Sequence, residues 1–264
     1  MTAISDYEKT IKANSKTFYL SSKLLPNEIR DKIIFLYHIC RVADDIADKS
    51  TDSKTDKYMK LDMLLVNNTI KEFFNKNDIS LIYYSDLIDG IKSDLDFKQP
   101  MDFPNLYNYC YKVAGTVGIM SARIFNVTDK NVLLRAERLG VAMQLTNILR
   151  DIKEDKNQGR IYLSEKDLTD HSVTAEDIIN EVYTEKLVAL LTHYEMIARR
   201  YYIEGNSGIK GIGNYRIRVA VKTASTMYEG ILNKLKSNKY NPFKERIYVG
   251  NLEKVYYLLS AIIQ

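Results

Sequence analysis

The sequence has few of the residues that interrupt helices. Its 264 residues include only 4 prolines and 11 glycines, and no segment sustains the alternation of apolar and polar residues that is typical of strands. Apolar residues instead recur every three or four positions over most of the chain. These features argue against a sheet-based fold and predict an all-α protein.

Cysteine is also scarce, and no segment is a candidate membrane anchor. The two cysteines, Cys40 and Cys110, lie far apart in apolar surroundings, which predicts reduced thiols in the core of a cytoplasmic protein. The N-terminus lacks the basic start and the apolar run of a signal peptide. The most apolar segment, 255–263, is shorter than the roughly 20 residues that span a bilayer, although contact with a membrane surface stays open.

Two further absences exclude common binding sites. The three histidines have no spacing that is typical of a metal site, and the glycines of GIKGIGN do not follow a strand as a dinucleotide-binding loop requires. The formal net charge of +4 is spread along the chain rather than gathered in a tract. The charge therefore does not indicate nucleic acid as a partner.

The helical pattern divides the chain into segments joined by short loops. Breaks at stretches such as LLPNE, DFKQPMDFPN and EGNSGIKGIGN separate the segments, and no repeat or low-complexity tract is present. We therefore expect a single domain over 1–264, built as a helical bundle. The predicted helices are about 27–49, 56–77, 80–97, 103–125, 130–156, 175–204, 213–236 and 244–263.

The stretch ICRVADDIAD, 39–48, places three aspartates within five positions of a helix that is otherwise largely apolar. Residues four or seven positions apart share a helix face. The acidic stripe that this spacing forms consists of Tyr37, Arg41, Asp44, Asp45 and Asp48. A solvated polar face is the ordinary explanation of such a stripe. Clustered like charges repel and aspartate is a mediocre helix former, which favours a functional reason for the three acids.

A second acidic stripe lies in QLTNILRDIKEDKNQGRIYLS. It consists of Asn147, Asp151 and Asp155 at intervals of four on one predicted helix, with Arg150 and Glu154 beside them. If the two stripes oppose each other across a bundle, their oxygens are suited to Mg²⁺ rather than to zinc. Because Mg²⁺ uses few protein carboxylates and keeps other oxygen ligands, we expect a diphosphate to complete its coordination.

Arg41 and Arg150 each have two interpretations. Each guanidinium lies within about one turn of acidic residues, where it could bind a phosphate oxygen. The alternative is pairing within the helix, of Arg41 with Asp45 and of Arg150 with Glu154. On the first interpretation, metals and arginines together stabilise a departing diphosphate.

Taken together, these motifs resemble those of the squalene/phytoene synthase family, the head-to-head prenyl synthases. The resemblance runs over most of the chain, through NSKTFYLSSKLLP, LYHICRVADDIAD, YCYKVAGTVG, AERLGVAMQLTNILRDIKEDKNQGRIYLS, ARRYYIEG and RVAVKTASTMYEGIL. The acidic motifs DDIAD and DIKED occur in the order and with the flanking residues that are typical of the family. The resemblance implies an all-α isoprenoid-synthase bundle around a central cavity, with both acidic motifs at its mouth.

The resemblance also implies roles for individual residues. Mg²⁺ is expected, as three ions with substrate bound, and its implied ligands are Asp44, Asp48, Asn147, Asp151 and Asp155. Asp45 and Glu154 are expected to lie behind these ligands. Residues that match diphosphate-binding or diphosphate-ordering positions are Ser15, Tyr37, Arg41, Arg150, Arg160 and Tyr162. Tyr109 and Tyr228 match tyrosines near the reacting carbons, so they join the four aspartates as expected catalytic residues.

The segment KVAGTVG has two interpretations. Val113, Ala114, Val117 and Gly118 give a helix face with little side-chain volume, which is typical of close helix packing. In the family that the sequence resembles, a break in this helix lines the cavity and leaves room for prenyl chains. On this second interpretation the four residues contact substrate.

The implied reaction joins two farnesyl diphosphates through a cyclopropylcarbinyl diphosphate, releases two diphosphates and gives dehydrosqualene for carotenoid biosynthesis. The compact chain is most like the small bacterial members of the family, which favours farnesyl diphosphate. Ser22 and Ile34, expected at the tunnel floor, are smaller than the aromatic residues of some farnesyl users, which keeps phytoene synthesis from geranylgeranyl diphosphate open. Squalene synthesis is a third alternative, although NADPH is not expected.

Other classes of protein are less consistent with these motifs. A head-to-tail elongase or terpene cyclase also uses an acidic motif and Mg²⁺, but is not expected to have NILRDIKED followed by GRIYLS. A non-catalytic assembly relative is expected to lose metal carboxylates, and both sets are present. One departure is Asn14, which stands where many relatives have a histidine and cannot titrate near neutral pH.

The expected partners follow from the same resemblance. They are prenyl diphosphate substrates, with no nucleic acid. Contact with a membrane surface during product release and contact with a downstream desaturase stay open, and the sequence does not indicate an oligomeric state.

Overall fold

Helices form nearly all of the regular structure in the computed structural model, which describes residues 2–244 and 247–263. No strand occurs in these residues, and the all-α prediction is confirmed. A π-helical turn at Tyr111–Gly115 and a 3₁₀ turn at Ile209–Gly211 accompany the α-helices. In chain order the α-helices are α1 (Thr2–Asn14), α2 (Lys16–Ser22), α3 (Asn27–Asp48), α4 (Lys54–Val66), α5 (Asn68–Lys76), α6 (Leu81–Leu95), α7 (Phe103–Cys110), α8 (Thr116–Ile124), α9 (Lys130–Arg150), α10 (Ile152–Asn157), α11 (Glu165–Asp170), α12 (Ala175–Ile179), α13 (Glu185–Ser207), α14 (Tyr215–Ser237) and α15 (Asn251–Ile263).

Three of the predicted helices agree closely with the structure. They are 27–49, 80–97 and 213–236, which correspond to α3, α6 and α14. Helices α1, α2 and α11 are absent from the prediction. Helices α2 and α11 are too short to repeat an apolar spacing, and α1 is largely polar.

Other predicted boundaries are wrong because side-chain caps divide the helices. The predicted helix 56–77 is two helices, α4 and α5. Asn67 ends the first, and its side chain accepts a hydrogen bond of 3.1 Å from the Ile70 amide at the start of the second. The predicted helix 175–204 is likewise divided into α12 and α13, where Thr184 caps α13.

The predicted helix 244–263 begins later, at Asn251. The Glu253 carboxylate accepts a hydrogen bond of 2.8 Å from the Gly250 amide, which marks the start of α15. Residues 245 and 246 lie outside the described residues. So do residues 1 and 264, and the single domain over 1–264 stays a prediction.

Helix α9 lies centrally in the bundle, in contact with α7, α8, α13, α14 and the π-helical turn. On the side of α13 it shares a core in which Leu149 and Tyr202 are fully buried. A second core joins α3, α4, α5, α6 and α8 around Phe74, Tyr84 and Met120. Burial of each leucine, phenylalanine or methionine side chain among these contributes about 1.5–3 kcal/mol. Because α3 ends in the first acidic stretch and α9 leads into the second, these two cores fix the helices that present both.

The π-helical turn divides the predicted helix 103–125 into α7 and α8. Two glycines on neighbouring helices give it room. A Cβ atom at Gly90 of α6 would lie 2.8 Å from a Val113 methyl carbon, and one at Gly140 of α9 would lie 2.3 Å from the Ala114 carbonyl oxygen. π-Helical turns are rare in proteins overall, but those that occur often lie at functional sites. The helix break that the family resemblance implied is therefore present, packed against α6 and α9.

The two cysteines agree with the prediction of reduced thiols. Both cysteines are free, with Cys110 fully buried and Cys40 partly buried. Burial raises the pKa of both thiols, which keeps them protonated. Among the helices of residues 2–244 and 247–263, none is both long and apolar enough to cross a membrane.

Replacing Gly118 with alanine is expected to destabilise the fold. The added Cβ would lie 2.2 Å from the Ala136 carbonyl oxygen, a backbone atom of α9 that cannot move alone. Overpacking of this kind costs about 1–3 kcal/mol, which urea unfolding would measure. Gly213→Ala is the matched control, since nothing lies within 4 Å of its added Cβ. Equal free energies of unfolding for the two variants would contradict this packing.

Candidate active site

An ion pair joins the two acidic stretches. Arg160, which follows α10, donates a hydrogen bond of 3.0 Å to the carboxylate of Asp48 at the end of α3, 112 residues earlier. Its side chain is 13% exposed, so the pair is largely shielded on the arginine side. The backbone amide of Arg160 also donates a hydrogen bond of 2.9 Å to the Asp155 carbonyl, so the ends of the two acidic stretches lie close together.

The second stripe crosses a helix break. The predicted continuous helix 130–156 is wrong, because α9 ends at Arg150 and α10 begins at Ile152. Backbone hydrogen bonds of 2.8 Å nevertheless run from the Asp151 amide to the Asn147 carbonyl and from the Asp155 amide to the Asp151 carbonyl. The helical spacing of the stripe thus continues through the break.

Burial and mutual repulsion perturb the carboxylates of both stripes. Burial raises the pKa of Asp44 to about 7, with further increases from Asp48, Asp45 and Asp94, against the lowering influence of Arg41. Burial likewise raises the pKa of Asp155 to about 8, reinforced by Asp151 and Asp94 and opposed by Arg160. A cation placed among these groups would relieve both effects.

Asp94 on α6 is a site residue that the sequence analysis missed. Its carboxylate accepts hydrogen bonds from the hydroxyls of Tyr109, at 3.0 Å, and Tyr162, at 2.8 Å. Burial raises its pKa to about 6, and its charge raises the pKa of both Asp44 and Asp155. A lone aspartate has no spacing signal in the sequence, so only the folded contacts reveal it.

The tyrosines near Asp94 form a small aromatic group. The rings of Tyr109 and Tyr162 stack with their centroids 4.8 Å apart, and Phe97 meets Tyr162 edge-on at 5.1 Å. Burial raises the pKa of Tyr109 well above its usual value, so its phenol stays neutral. The predicted positions Tyr109 and Tyr162 are thus brought together with the acidic residues.

The arginines beside the two stripes contact carboxylates. Arg41 binds Asp45, which agrees with the intrahelical alternative, and its Nε atom is buried without a hydrogen-bond partner among the described residues. Arg150 makes two parallel hydrogen bonds to the carboxylate of Asp151, whereas the intrahelical alternative named Glu154 as its partner. Both guanidiniums nevertheless lie beside the stripes, where a phosphate could exchange with these partners.

Ser15 and Tyr228 lie near Arg150 on another wall of the site. Ser15 caps α2, and both Ser15 and Arg150 lie close enough to the Tyr228 hydroxyl to influence its pKa, which burial raises. The ring of Phe18 lies 5.2 Å from that of Tyr228 and 6.3 Å from that of Tyr37. The predicted residues Ser15, Tyr37 and Tyr228 therefore belong to one neighbourhood.

Two lysines that the sequence analysis missed approach this wall. Lys254 of α15 is partly buried and lies close enough to Lys16 of α2 for their charges to repel, which adds to the lowering of its pKa by burial. Lys16 directly follows Ser15 in the chain. Two cations held together in this way favour an anion between them.

The donor set fits Mg²⁺ with a diphosphate. The side-chain oxygen of Asn147 is buried and has no hydrogen-bond partner among the described residues, although its amide donates to Gln144 at 3.2 Å. Within those same residues, no three Asp, Glu, His or Cys side chains lie close enough together to hold a metal ion by themselves. Further oxygen ligands from outside the chain are therefore needed, which is the usual situation for Mg²⁺ beside phosphate.

The KVAGTVG segment packs mainly against neighbouring helices. Val113 and Val117 pack against the core of α3–α6, and Gly118 faces α9 as described above. This arrangement agrees with the close-packing interpretation. Contact with substrate stays a prediction for all four residues, Val113, Ala114, Val117 and Gly118.

One small cavity lies beside the acidic residues. A cavity of about 10 Å³ borders Asp155, Arg160 and Tyr162. A larger groove of about 690 Å³ lies elsewhere, against Tyr83, Arg123 and the start of α9. A cavity that takes two prenyl chains stays a prediction.

Comparison with known proteins agrees with this geometry. The sequence model of squalene/phytoene synthases matches residues 11–253, which is most of the chain. The chain belongs to the squalene/phytoene synthase family. The family prediction made from the motifs is confirmed.

Several relatives of the family are similar over most of this chain. Phytoene synthase 1, a chloroplastic protein of Zea mays, is 34% identical in an alignment 264 positions long. The alignment covers 91% of this chain and 63% of the relative. A 15-cis-phytoene synthase of Synechocystis is 34% identical in an alignment 277 positions long, which covers 94% of this chain and 80% of the relative. The chain thus spans just under two thirds of the length of the maize protein.

Solved structures confirm the isoprenoid-synthase fold. A dehydrosqualene synthase in complex with ligand superposes with a TM-score of 0.87 and 30% identity, over 98% of this chain and 94% of that structure. A squalene synthase, HpnC of Alicyclobacillus acidocaldarius, has a TM-score of 0.83 at 20% identity and shows the shared fold alone.

Asp155→Asn is expected to stabilise the metal-free protein in a pH-dependent way. The folded chain keeps the Asp155 proton up to about pH 8, whereas the unfolded chain releases it near about pH 4, so wild-type stability falls as the pH rises between these values. The variant lacks this loss, so its advantage in free energy of unfolding should grow from about pH 5 to about pH 8 in chelator.

The control for this measurement is Asp89→Asn, at an exposed aspartate of α6. It should follow the wild-type pH dependence. An Asp155→Asn advantage that does not change with pH would contradict the buried, repelled state of this carboxylate.

Proposed function

We propose that the protein joins two prenyl diphosphates head to head, in a Mg²⁺-dependent reaction that releases two diphosphates and does not use NADPH. The observation that carries the proposal is the convergence of the two acidic stretches through the Arg160–Asp48 pair, with Asp94 between them. A single solvated acidic face would not require this convergence.

The residues that would hold Mg²⁺ are those with suitably placed oxygens. They are Asp44, Asp48, Asn147, Asp151 and Asp155. Bound Mg²⁺ would supply Lewis-acid stabilisation of the leaving diphosphate. The raised pKa values of Asp44 and Asp155 support a cation here, since both carboxylates are destabilised as free anions.

The cationic side chains supply the rest of the charge that a diphosphate needs. Arg41 and Arg150 border the stripes, and Arg160 bridges them. Lys16 and Lys254 converge at the Ser15 side. These groups favour breaking of the allylic C–O bond, because the electron pair of that bond leaves with the diphosphate.

The remaining steps of the reaction proceed through carbocations. The double bond of the second prenyl diphosphate attacks the first allylic cation, and loss of a proton closes a cyclopropylcarbinyl diphosphate. Loss of the second diphosphate opens the ring, and loss of another proton leaves a central double bond. The π-systems of Tyr109 and Tyr162 are suited to stabilise positive charge, and Asp94 orients both hydroxyls.

Two chain lengths of substrate have support. The structural similarity to a dehydrosqualene synthase favours farnesyl diphosphate and dehydrosqualene. The phytoene synthases among the relatives favour geranylgeranyl diphosphate and phytoene. Either product would enter carotenoid biosynthesis and be passed to a desaturase. Ser22 and Ile34, the residues expected at the tunnel floor, are both buried.

Product analysis tests the proposed reaction. The purified chain is incubated with Mg²⁺ and either farnesyl or geranylgeranyl diphosphate, with and without NADPH, and the hydrocarbon is identified by mass spectrometry. We expect one of the two substrates to give a hydrocarbon that NADPH does not change, with two diphosphates released per molecule. A product reduced only when NADPH is present would instead identify a squalene synthase. Longer diphosphates formed with isopentenyl diphosphate would identify an elongase.

Replacement of the metal carboxylates tests the assignment of the site. Asp44→Asn and Asp151→Asn should each lower the turnover by about 100-fold or more, because the diphosphate then leaves without its full charge stabilisation. Asp89→Asn, on the exposed side of α6, should leave turnover unchanged. Undiminished turnover in the first two variants would contradict the metal-site assignment.

Asp94→Asn is expected to reduce product formation by about 10–100-fold, because an amide cannot accept both tyrosine hydrogen bonds with the strength of a carboxylate. Asp86→Asn is the matched control. Asp86 lies on the same helix and accepts a hydrogen bond of 3.1 Å from Tyr111, but lies outside the acidic group. Equal activities of the two variants would show that Asp94 has no special role.

A further inference from the structure

The C-terminal segment presents a stripe of exposed apolar and aromatic side chains. Tyr248, Leu252, Tyr256 and Leu259 are 76%, 87%, 67% and 54% exposed. They follow one another at intervals of three and four, so the last three share the outward face of α15. We refer to these four residues as the C-terminal stripe.

The opposite face of α15 is attached to the bundle. The ring of Tyr257 lies against Gly230 of α14, at 2.7 Å from where a Cβ would be, and Ala261 is buried. Lys254 on the same side approaches Lys16 beside the candidate active site. The C-terminal stripe is therefore the outer surface of a docked helix.

Exposed lysines lie at the same end of the bundle. The ion pair of Lys234 with Glu253, at 2.7 Å, places the first turn of α15 beside the last turn of α14. Lys236, Lys239 and Lys244 follow along this end, and all three are exposed without a carboxylate partner among the described residues. Apolar side chains are thus combined here with exposed positively charged side chains.

We propose that the C-terminal stripe docks onto an anionic lipid surface. Leucine and tyrosine on one face of a helix, with lysines nearby, are the composition that binds at the headgroup boundary of a bilayer. A stable protein interface uses about 20–30 residues a side, far more than this narrow stripe supplies. Apposition of two copies through this end would also bring their exposed lysines, which carry the same charge, close together.

Docking in this way would serve the site, a consequence that rests on the proposed function. An α-helix is about 10–12 Å across, so the Lys16–Lys254 side of the site would lie about one helix diameter from the lipid surface. Prenyl diphosphates and their hydrocarbon products are amphipathic or apolar, and would have a short path between membrane and site.

A tryptophan reporter tests the docking directly. The chain has no tryptophan, so Leu252→Trp introduces a single indole at the most exposed position of the stripe. With vesicles of equal parts phosphatidylcholine and phosphatidylglycerol, we expect a blue shift of its fluorescence and quenching by lipids labelled in the acyl chain. An unchanged spectrum would overturn the proposal. No substrate is present, so this result is independent of the proposed reaction.

Vesicle co-sedimentation of the full chain measures the apolar contribution. A triple variant, the stripe variant, should bind the vesicles about tenfold or more weakly than the wild type. It combines Leu252→Ser, Tyr256→Ser and Leu259→Ser. Met63→Ser with Val66→Ser, at exposed positions of α4, is the matched control and should bind like the wild type. Circular dichroism checks that each variant is folded. Equal binding by the stripe variant and the control would overturn the proposal.

The contribution of charge has its own comparison. Lys236→Gln with Lys244→Gln should reduce binding to the anionic vesicles, whereas Lys130→Gln with Lys210→Gln removes the same charge from other exposed positions and should not. Light scattering gives the oligomeric state. A wild-type dimer that the stripe variant converts to a monomer would assign the stripe to a second copy and overturn the lipid proposal.

Discussion

The repulsion among partly buried carboxylates is the constraint around which this site is organised. Asp44 and Asp155 lie 111 residues apart in the sequence, and Asp94 raises the pKa of both. Folding alone does not favour such an arrangement, because each charge loses hydration and gains like-charged neighbours. The arrangement becomes favourable once cations enter, and a diphosphate that brings Mg²⁺ with it meets that requirement together with the neighbouring arginines.

The rest of the fold holds these charges in place against their repulsion. Helices α3 and α9 each enter a large apolar core before they reach the acidic residues. Arg160 then ties the two ends together through Asp48, and Tyr109 and Tyr162 fix Asp94. The helix break at Asp151 keeps the backbone hydrogen bonds on both sides of it, so the stripe stays in register as the chain turns.

The sequence predicted the parts of the site that repeat along a helix. Asp44 and Asp48, and likewise Asn147, Asp151 and Asp155, are spaced so that a regular helix must place them on one face. Contacts between distant segments have no such spacing. Asp94 and the Lys16–Lys254 pair are single residues whose importance comes from what folds next to them, so the pattern could not identify them. The predictions of helix boundaries were wrong for a related reason. A single capping residue such as Asn67 ends one helix and starts the next, even where the apolar spacing continues on both sides of it.

This acidic site is expected to bind Mg²⁺ and diphosphate together rather than either alone. Isothermal titration calorimetry with Mg²⁺, in the absence and presence of inorganic diphosphate, tests it most directly. We expect weak binding of Mg²⁺ alone and much tighter binding with diphosphate, accompanied by proton release from the carboxylates with raised pKa values. Tight Mg²⁺ binding that diphosphate does not affect, or no binding in either case, would contradict it.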